Sequence, residues 1–116
     1  MKIEELARAI EAHLVVPGGP QDSVITTVYG SETMSDLIAN AGPATLLVTS
    51  LNNPQLMRVA DLMDVPAVCL VGACVPAAEL LSHAEQSGKA LLVSPVGIRE
   101  TCVRASECIR NGRLTT

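Results

Sequence analysis

The sequence predicts an α/β fold, a three-layer α/β/α sandwich around a largely parallel sheet of about five strands. Three observations carry this expectation. The apolar runs Ala44–Thr49, Ala67–Gly72 and Ala90–Ser94 recur at intervals of about 22 to 23 residues. Each run leads through a short polar or small-residue turn into an amphipathic segment, the signature of consecutive β–α units. The runs are also almost uninterrupted in apolar residues, as strands covered by helices on both faces are. Strands joined by single short helices pair in parallel with right-handed crossovers.

The first helix is expected over Lys2 to His13, with Ile3, Leu6, Ala7 and Ile10 on one face. Leu14-Val15-Val16 is a short strand, closed by the turn Pro17-Gly18-Gly19-Pro20. Val24 to Tyr29 is a second strand, because its Val, Ile, Thr and Tyr residues suit a pleated surface. Gly30 then turns the chain into a helix from Glu32 or Thr33 to Asn40. Ser31 or Thr33 is its N-cap, and Gly42 suits the left-handed position at its end. The three β–α units follow, with helices over Pro54–Met63, Pro76–Ser87 and Ile98–Arg110. Pro54 and Pro76 fit the first helical turn, where a missing N–H costs nothing, and Gly88 is a helix stop. Residues 1–110 form a single domain, and residues 111–116 are expected to be a frayed tail.

Composition narrows the function classes. The chain has 116 residues, 48% of them hydrophobic and 17% charged, with one Tyr, no Trp and no Phe. Its core must therefore be aliphatic, and surplus apolar surface points to self-association, with a homodimer as the expected form. The net charge of −4 and the scattered basic residues supply no basic face, and aromatic stacking platforms are missing, which argues against nucleic acid as a partner. No run reaches the roughly 20 apolar residues that span a bilayer, and the start Met1-Lys2-Ile3-Glu4-Glu5 reads as an amphipathic helix, not a signal peptide. A cytoplasmic location is expected, with Cys69, Cys74, Cys102 and Cys108 as reduced thiols.

Parallel sheets place ligand crevices beyond the carboxyl ends of their strands. Here those ends are small and polar, and each leads into a helix N-terminus that favours an anion. Ser31, Thr49, Ser50, Asn52, Asn53, Gly72, Ala73, Cys74, Ser94 and Pro95 are the candidate ligand-binding residues, for a small anionic or nucleotide-like ligand. The same residue types also serve every β–α turn as caps, and neither Gly-x-Gly-x-x-Gly nor a P-loop pattern occurs.

No catalytic set emerges. Cys69 reads as a buried small hydrophobe inside a strand, and Cys74 follows a strand end. Cys102 and Cys108 lie about 120° apart around the last helix. The cysteine spacings differ from Cys-x-x-Cys, so a metal or cluster site would need long-range assembly or a dimer; no metal or cofactor is expected, with a redox or metal role for the cysteines as a further alternative. His13 is expected to end the first helix, and His83 to pair on the surface with Glu79 four residues earlier. No Gly-x-Ser-x-Gly elbow or close carboxylate pair is visible, so the chain is not expected to be an enzyme.

The segment Ser31-Glu32-Thr33-Met34-Ser35-Asp36-Leu37-Ile38-Ala39-Asn40-Ala41 resembles the S-D-x-x-S-D-x-x-A-N-A segment of short stand-alone DRTGG-domain proteins. The strand ending in Thr49, the helix with Ala60-Asp61-Leu62, the strand ending in Gly72 and the Ser94-Pro95 turn follow in similar order, so the resemblance spans Met1 to about Ile109. Glu32 stands where Asp is usual, and Gly72-Ala73 where Gly-Gly is frequent. The resemblance implies a fold like the N-terminal domain of HPr kinase/phosphorylase. It also implies a regulatory role and a kinase or hydrogenase-related protein partner. The expectation is thus a ligand-sensing domain; the alternative is a protein-interaction or scaffold module, with hydrogenase maturation or a serine kinase as the association that the resemblance implies.

Overall fold

The computed structural model describes residues 2–18, 24–72 and 74–114. They form α1 (Ile3–Ala9), β1 (His13–Pro17), β2 (Thr27–Gly30), α2 (Met34–Asn40), β3 (Thr45–Thr49), α3 (Pro54–Leu62), β4 (Ala67–Leu70), α4 (Ala78–Ser87), β5 (Ala90–Val93) and α5 (Ile98–Leu114). The strands make one sheet in the order β1-β5-β4-β3-β2. β2, β3, β4 and β5 run parallel, and β1 joins the β5 edge antiparallel, pairing His13 with Val93 and Pro17 with Ala90.

The pleat sends alternate side chains into two cores, one on each face of the sheet. Leu46, Val48, Ala67, Cys69, Ala90 and Leu92 pack with Leu6, Ala7 and Ile10 of α1 and Ala105 and Ile109 of α5. Leu47, Val68, Leu70 and Leu91 pack on the other side with Leu37 of α2, Leu56, Met57 and Ala60 of α3, and Leu80 and Ala84 of α4. Every residue of β3 and β4 is buried, which explains their unbroken apolar runs. Each fully buried Leu contributes roughly 1.5–3 kcal/mol relative to exposure. The aliphatic three-layer sandwich is the architecture that the spacing predicts.

Local boundaries differ where tertiary pairing overrides local pattern. α1 ends at Ala9, four residues before the expected His13. Glu11 turns the chain with a left-handed φ of 59°, and His13 opens β1 because β5 offers a ladder partner. The second strand forms only from Thr27, while Val24 makes an isolated antiparallel bridge to Lys2. Gly42 is not the left-handed terminator of α2. It precedes Pro43, which disfavours helical backbone, and Ala41 is already extended. Asn40 Nδ2 instead donates to the Asp36 carbonyl and satisfies a last-turn acceptor. Pro76 lies outside α4, which starts at Ala78. Asn53 and Pro54 open α3 as expected, and Gly88 stops α4 with φ 71°. α5 continues through the first residues of the expected tail to Leu114.

Gly30, at the head of the Ser31–Ala41 segment, has a packing reason. A Cβ there would lie 2.5 Å from Cys102 Sγ and 2.7 Å from Ile98 Cγ2, so α5 crosses the end of β2 directly over this glycine.

Candidate functional site: the rim beyond the strand ends

The carboxyl ends of β2, β3, β4 and β5 share one rim of the sheet, as the topology requires. Most candidate polar groups on this rim are engaged within the chain. Thr49 is fully buried, and its Oγ1 accepts from the Leu51 N–H at 3.2 Å. Ser94 is also fully buried. Its Oγ shares a 2.8 Å hydrogen bond with Thr101 Oγ1, tying the β5 exit to α5, and accepts from the Val96 N–H at 3.4 Å. The Gly72 N–H donates to the Val96 carbonyl at 3.1 Å, joining the loops after β4 and β5. Gly72 itself holds a left-handed φ of 78°.

Asn52 spans two loops. Its Nδ2 donates to the Val75 carbonyl at 2.8 Å, and its Oδ1 accepts from the Ala77 N–H at 2.8 Å. One amide thus holds the whole Cys74–Ala77 approach to α4. Asn53 caps α3 by accepting from the Gln55 N–H at 3.0 Å. Ser31 sits at the far end of the rim, over β2. Its Oγ accepts from the Thr33 N–H at 3.1 Å and donates to Asp36 Oδ2 at 3.2 Å. Ser50 is exposed. Ala73 lies outside the described residues.

A groove nevertheless opens on the rim. It has a volume of about 360 Å³ and is lined by Glu11, His13, Val15, Cys74, Val75, Pro76, Val93 and Pro95. It follows from the β1-β5-β4 order. Val93 and Pro95 mark the exit of β5, the loop held by Asn52 forms one wall, and the α1–β1 turn forms the other. Of the nine described candidates, Cys74 and Pro95 line it. Glu11, His13 and Val15 were missed because nothing in the local pattern shows that β1 runs antiparallel to β5 and so brings its N-terminal end to this rim. Val75 and Pro76 sit directly beside the candidate Cys74 in sequence.

Cys69, Cys102 and Cys108 are shifted away from the thiolate. Burial pushes the Cys69 thiol up to about 12, with the neighbouring Cys102 adding to the rise. Burial also raises Cys102, and burial followed by the charge of Glu107 raises Cys108. These groups are protonated at neutral pH, whereas a nucleophile or metal ligand needs the thiolate. Among the described residues no three His, Cys, Asp or Glu side chains are grouped to hold a metal ion. His83 pairs with Asp61 of α3, Nε2 to Oδ2 at 3.1 Å, and not with Glu79. Ser87 donates to the same Asp61 oxygen at 3.1 Å, so this cluster fastens α4 to α3. Among the described residues no helix is long and apolar enough to cross a membrane.

No protein-family model matches the chain. No curated protein matches it either. Among solved structures, the chain is similar to the CBS and DRTGG domains of the regulatory region of Clostridium perfringens pyrophosphatase, a structure complexed with the activator diadenosine tetraphosphate. The TM-score is 0.67 at 9% identity, over 90% of this chain and 45% of that one. The chain therefore spans less than half of that region. The likeness is one of fold, with a regulatory and not a catalytic region, and it agrees with the DRTGG resemblance of the Ser31–Ala41 segment.

Proposed function

We propose that this chain is a non-catalytic regulatory module that holds a nucleotide-like ligand in the rim groove. The observation that carries the reading is the groove itself. It opens at the carboxyl ends of parallel strands, where α/β sheets bind ligands, and its volume of about 360 Å³ suits a small molecule. The chemistry of its lining supports one orientation of such a ligand. Val15, Val75, Pro76, Val93 and Pro95 offer apolar contact to a base, while Glu11 would repel phosphate within the groove. The anionic end therefore points away from Glu11, toward the N-terminal turns of α4 and α5. The similarity to a regulatory region crystallised with a dinucleotide activator supports the nucleotide class.

Thermal shift and calorimetry across nucleotides test this. A ligand held at 100 times its Kd should add about 2.7 kcal/mol of stability. Val75 is 85% exposed, so Val75→Glu should leave the fold intact and abolish binding. No response to any nucleotide at millimolar concentration would remove the ligand-sensing reading.

A second reading, protein interaction, is favoured by one other observation. Between α2 and α3 lies a largely apolar groove of about 480 Å³, lined by Met34, Ile38, Asn53, Gln55, Arg58, Val59 and Leu62. Leu62 is 80% exposed and Ile38 41%, an arrangement suited to a homodimer contact. Sedimentation of wild type and Leu62→Ser decides it. A dimer lost on substitution supports this reading, and a monomeric wild type refutes it.

A further inference from the structure

The two edges of the sheet are finished differently. β1 carries a register shift between Leu14 and Val16 and ends at Pro17, features that blunt an edge against further pairing. β2 pairs with β3 in unbroken register from Thr27 to Gly30 and holds no Pro, no charged residue and no bulge. The Thr27 and Ser31 N–H groups donate to the β3 side, at the Ala44 and Val48 carbonyls. A parallel ladder alternates, so Val28 and Gly30 turn their N–H and C=O groups outward. No hydrogen bond joins these four groups to another described residue. α5 lies over this edge and runs opposite to β2. Its Ile98 and Cys102 close on Gly30, while Ser106, Ile109 and Arg110 form a groove of about 270 Å³ with Thr26, Thr27 and Val28. Arg99, Val103, Ser106 and Arg110 share one stripe of the helix by their spacing. Arg99, Val103 and Arg110 are exposed, and neither arginine has an ion pair among the described residues. Glu100 and Glu107 lie roughly 80° further round the helix. That side faces α1, since Arg104, the partner of Glu100, reaches the Ile10 carbonyl. α5 therefore presents positive charge alone to the β2 edge.

We infer that the β2 edge and this stripe form a docking surface for an extended acidic segment of a partner protein, added as a sixth strand. Main-chain groups of the segment bond Val28 and Gly30, and its side chains on the α5 face meet the two arginines. Arg99 and Arg110 are about 16 Å apart along the helix axis. Residues i and i+4 of a strand lie on one face about 13 Å apart, a difference that two long arginine side chains close. The segment thus carries acidic residues at i and i+4 and an apolar residue at i+2, against Val103. Charge also decides against a second copy of this chain. Antiparallel pairing of two β2 edges about a two-fold axis sets Gly30 of one copy opposite Thr26–Val28 of the other. Arg99 of one copy then approaches Arg110 of its partner, and the like charges repel. This surface is at the far edge of the sheet from β1, so it does not depend on the rim groove.

The test titrates the full chain, isotope-labelled for NMR, with the capped heptapeptide Thr-Glu-Thr-Val-Thr-Glu-Thr and with the same peptide carrying Lys in place of both Glu residues. The acidic peptide should shift the Val28 and Gly30 amide signals and slow their hydrogen exchange, and its affinity should fall as salt is raised. The Lys peptide should leave both amides unchanged. Arg99→Glu/Arg110→Glu alters exposed side chains, so the melting temperature should hold. That variant should bind the acidic peptide about tenfold more weakly or worse and should accept the Lys peptide instead. No response of Val28 and Gly30 to the acidic peptide at millimolar concentration overturns the inference. So does an equal response to both peptides, or an acidic preference that survives the double charge reversal. Sedimentation of the peptide-free chain as a dimer, with Val28 and Gly30 already protected from exchange, also overturns it and assigns the edge to a second copy.

Discussion

Replacing Gly30 with Ala tests how α5 seats on the sheet. The new Cβ would fall 2.5 Å from Cys102 Sγ and 2.7 Å from Ile98 Cγ2, both well inside van der Waals contact. The Val48 carbonyl oxygen, at 3.4 Å, is a tolerable neighbour. Overpacking of this kind costs about 1–3 kcal/mol. Reduced freedom of the unfolded chain returns roughly 0.4–1 kcal/mol for Gly→Ala. The net loss is therefore about 1–2 kcal/mol, a fall of very roughly 4–8 °C in Tm for a domain of this size. Scanning calorimetry of Gly30→Ala, Cys102→Ala and the double variant measures it. Deleting the thiol removes the nearer of the two obstructions. The double variant should thus be more stable than the sum of the single effects, by about 1 kcal/mol of coupling. A neutral Gly30→Ala, or strictly additive losses, would refute the account of this crossing.

Other expectations follow from the rim and the core. Asn52→Ala removes both hydrogen bonds that hold the groove wall and should cost about 1–3 kcal/mol, with faster amide exchange at Ala77 as the local sign. Ser94→Ala leaves the buried Thr101 hydroxyl without its partner and should cost about 1–3 kcal/mol, whereas Ser94→Ala/Thr101→Val should recover much of it. Cys69 gives a pH signature. Its thiol is raised from 9.0 to about 12 in the fold, so the folded state retains a proton that the unfolded chain releases. That contribution is complete below pH 9 and is lost as pH climbs toward 12. Denaturant titrations should show stability falling by roughly 1 kcal/mol per pH unit in this window, and the slope should flatten in Cys69→Ala.

Much of the architecture was legible because the signal was redundant. β3, β4 and β5 announce themselves as apolar runs, and Asn53-Pro54 and Gly88 mark their helix ends through local backbone rules. The boundaries that could not be read depend on partners distant in sequence. His13 is drawn from a helix pattern into a strand by pairing with Val93. Ala77 is the extended N-cap of α4, its N–H held by Asn52 from a distant loop. The site followed the same division. Its place on the rim was legible from the β–α rhythm, but its composition was not. Hydroxyls and amides that look available in the sequence, on Thr49, Asn52 and Ser94, are engaged in stitching loops together. The open surface is instead made by Cys74, Val75 and Pro76 against Glu11, His13 and Val15. A helix-end reading of His13 hides that juxtaposition.

Cys74 offers the most direct measurement of the central claim, since its thiol lines the groove while Cys108 lies on α5 at the other face of the sheet. Alkylation of each cysteine is followed by mass spectrometry, with and without saturating adenosine monophosphate. A bound base should slow labelling of Cys74 several-fold and leave Cys108 unchanged. Equal Cys74 rates with and without nucleotide, at a concentration where calorimetry registers binding, would contradict the placement of the ligand beyond β5.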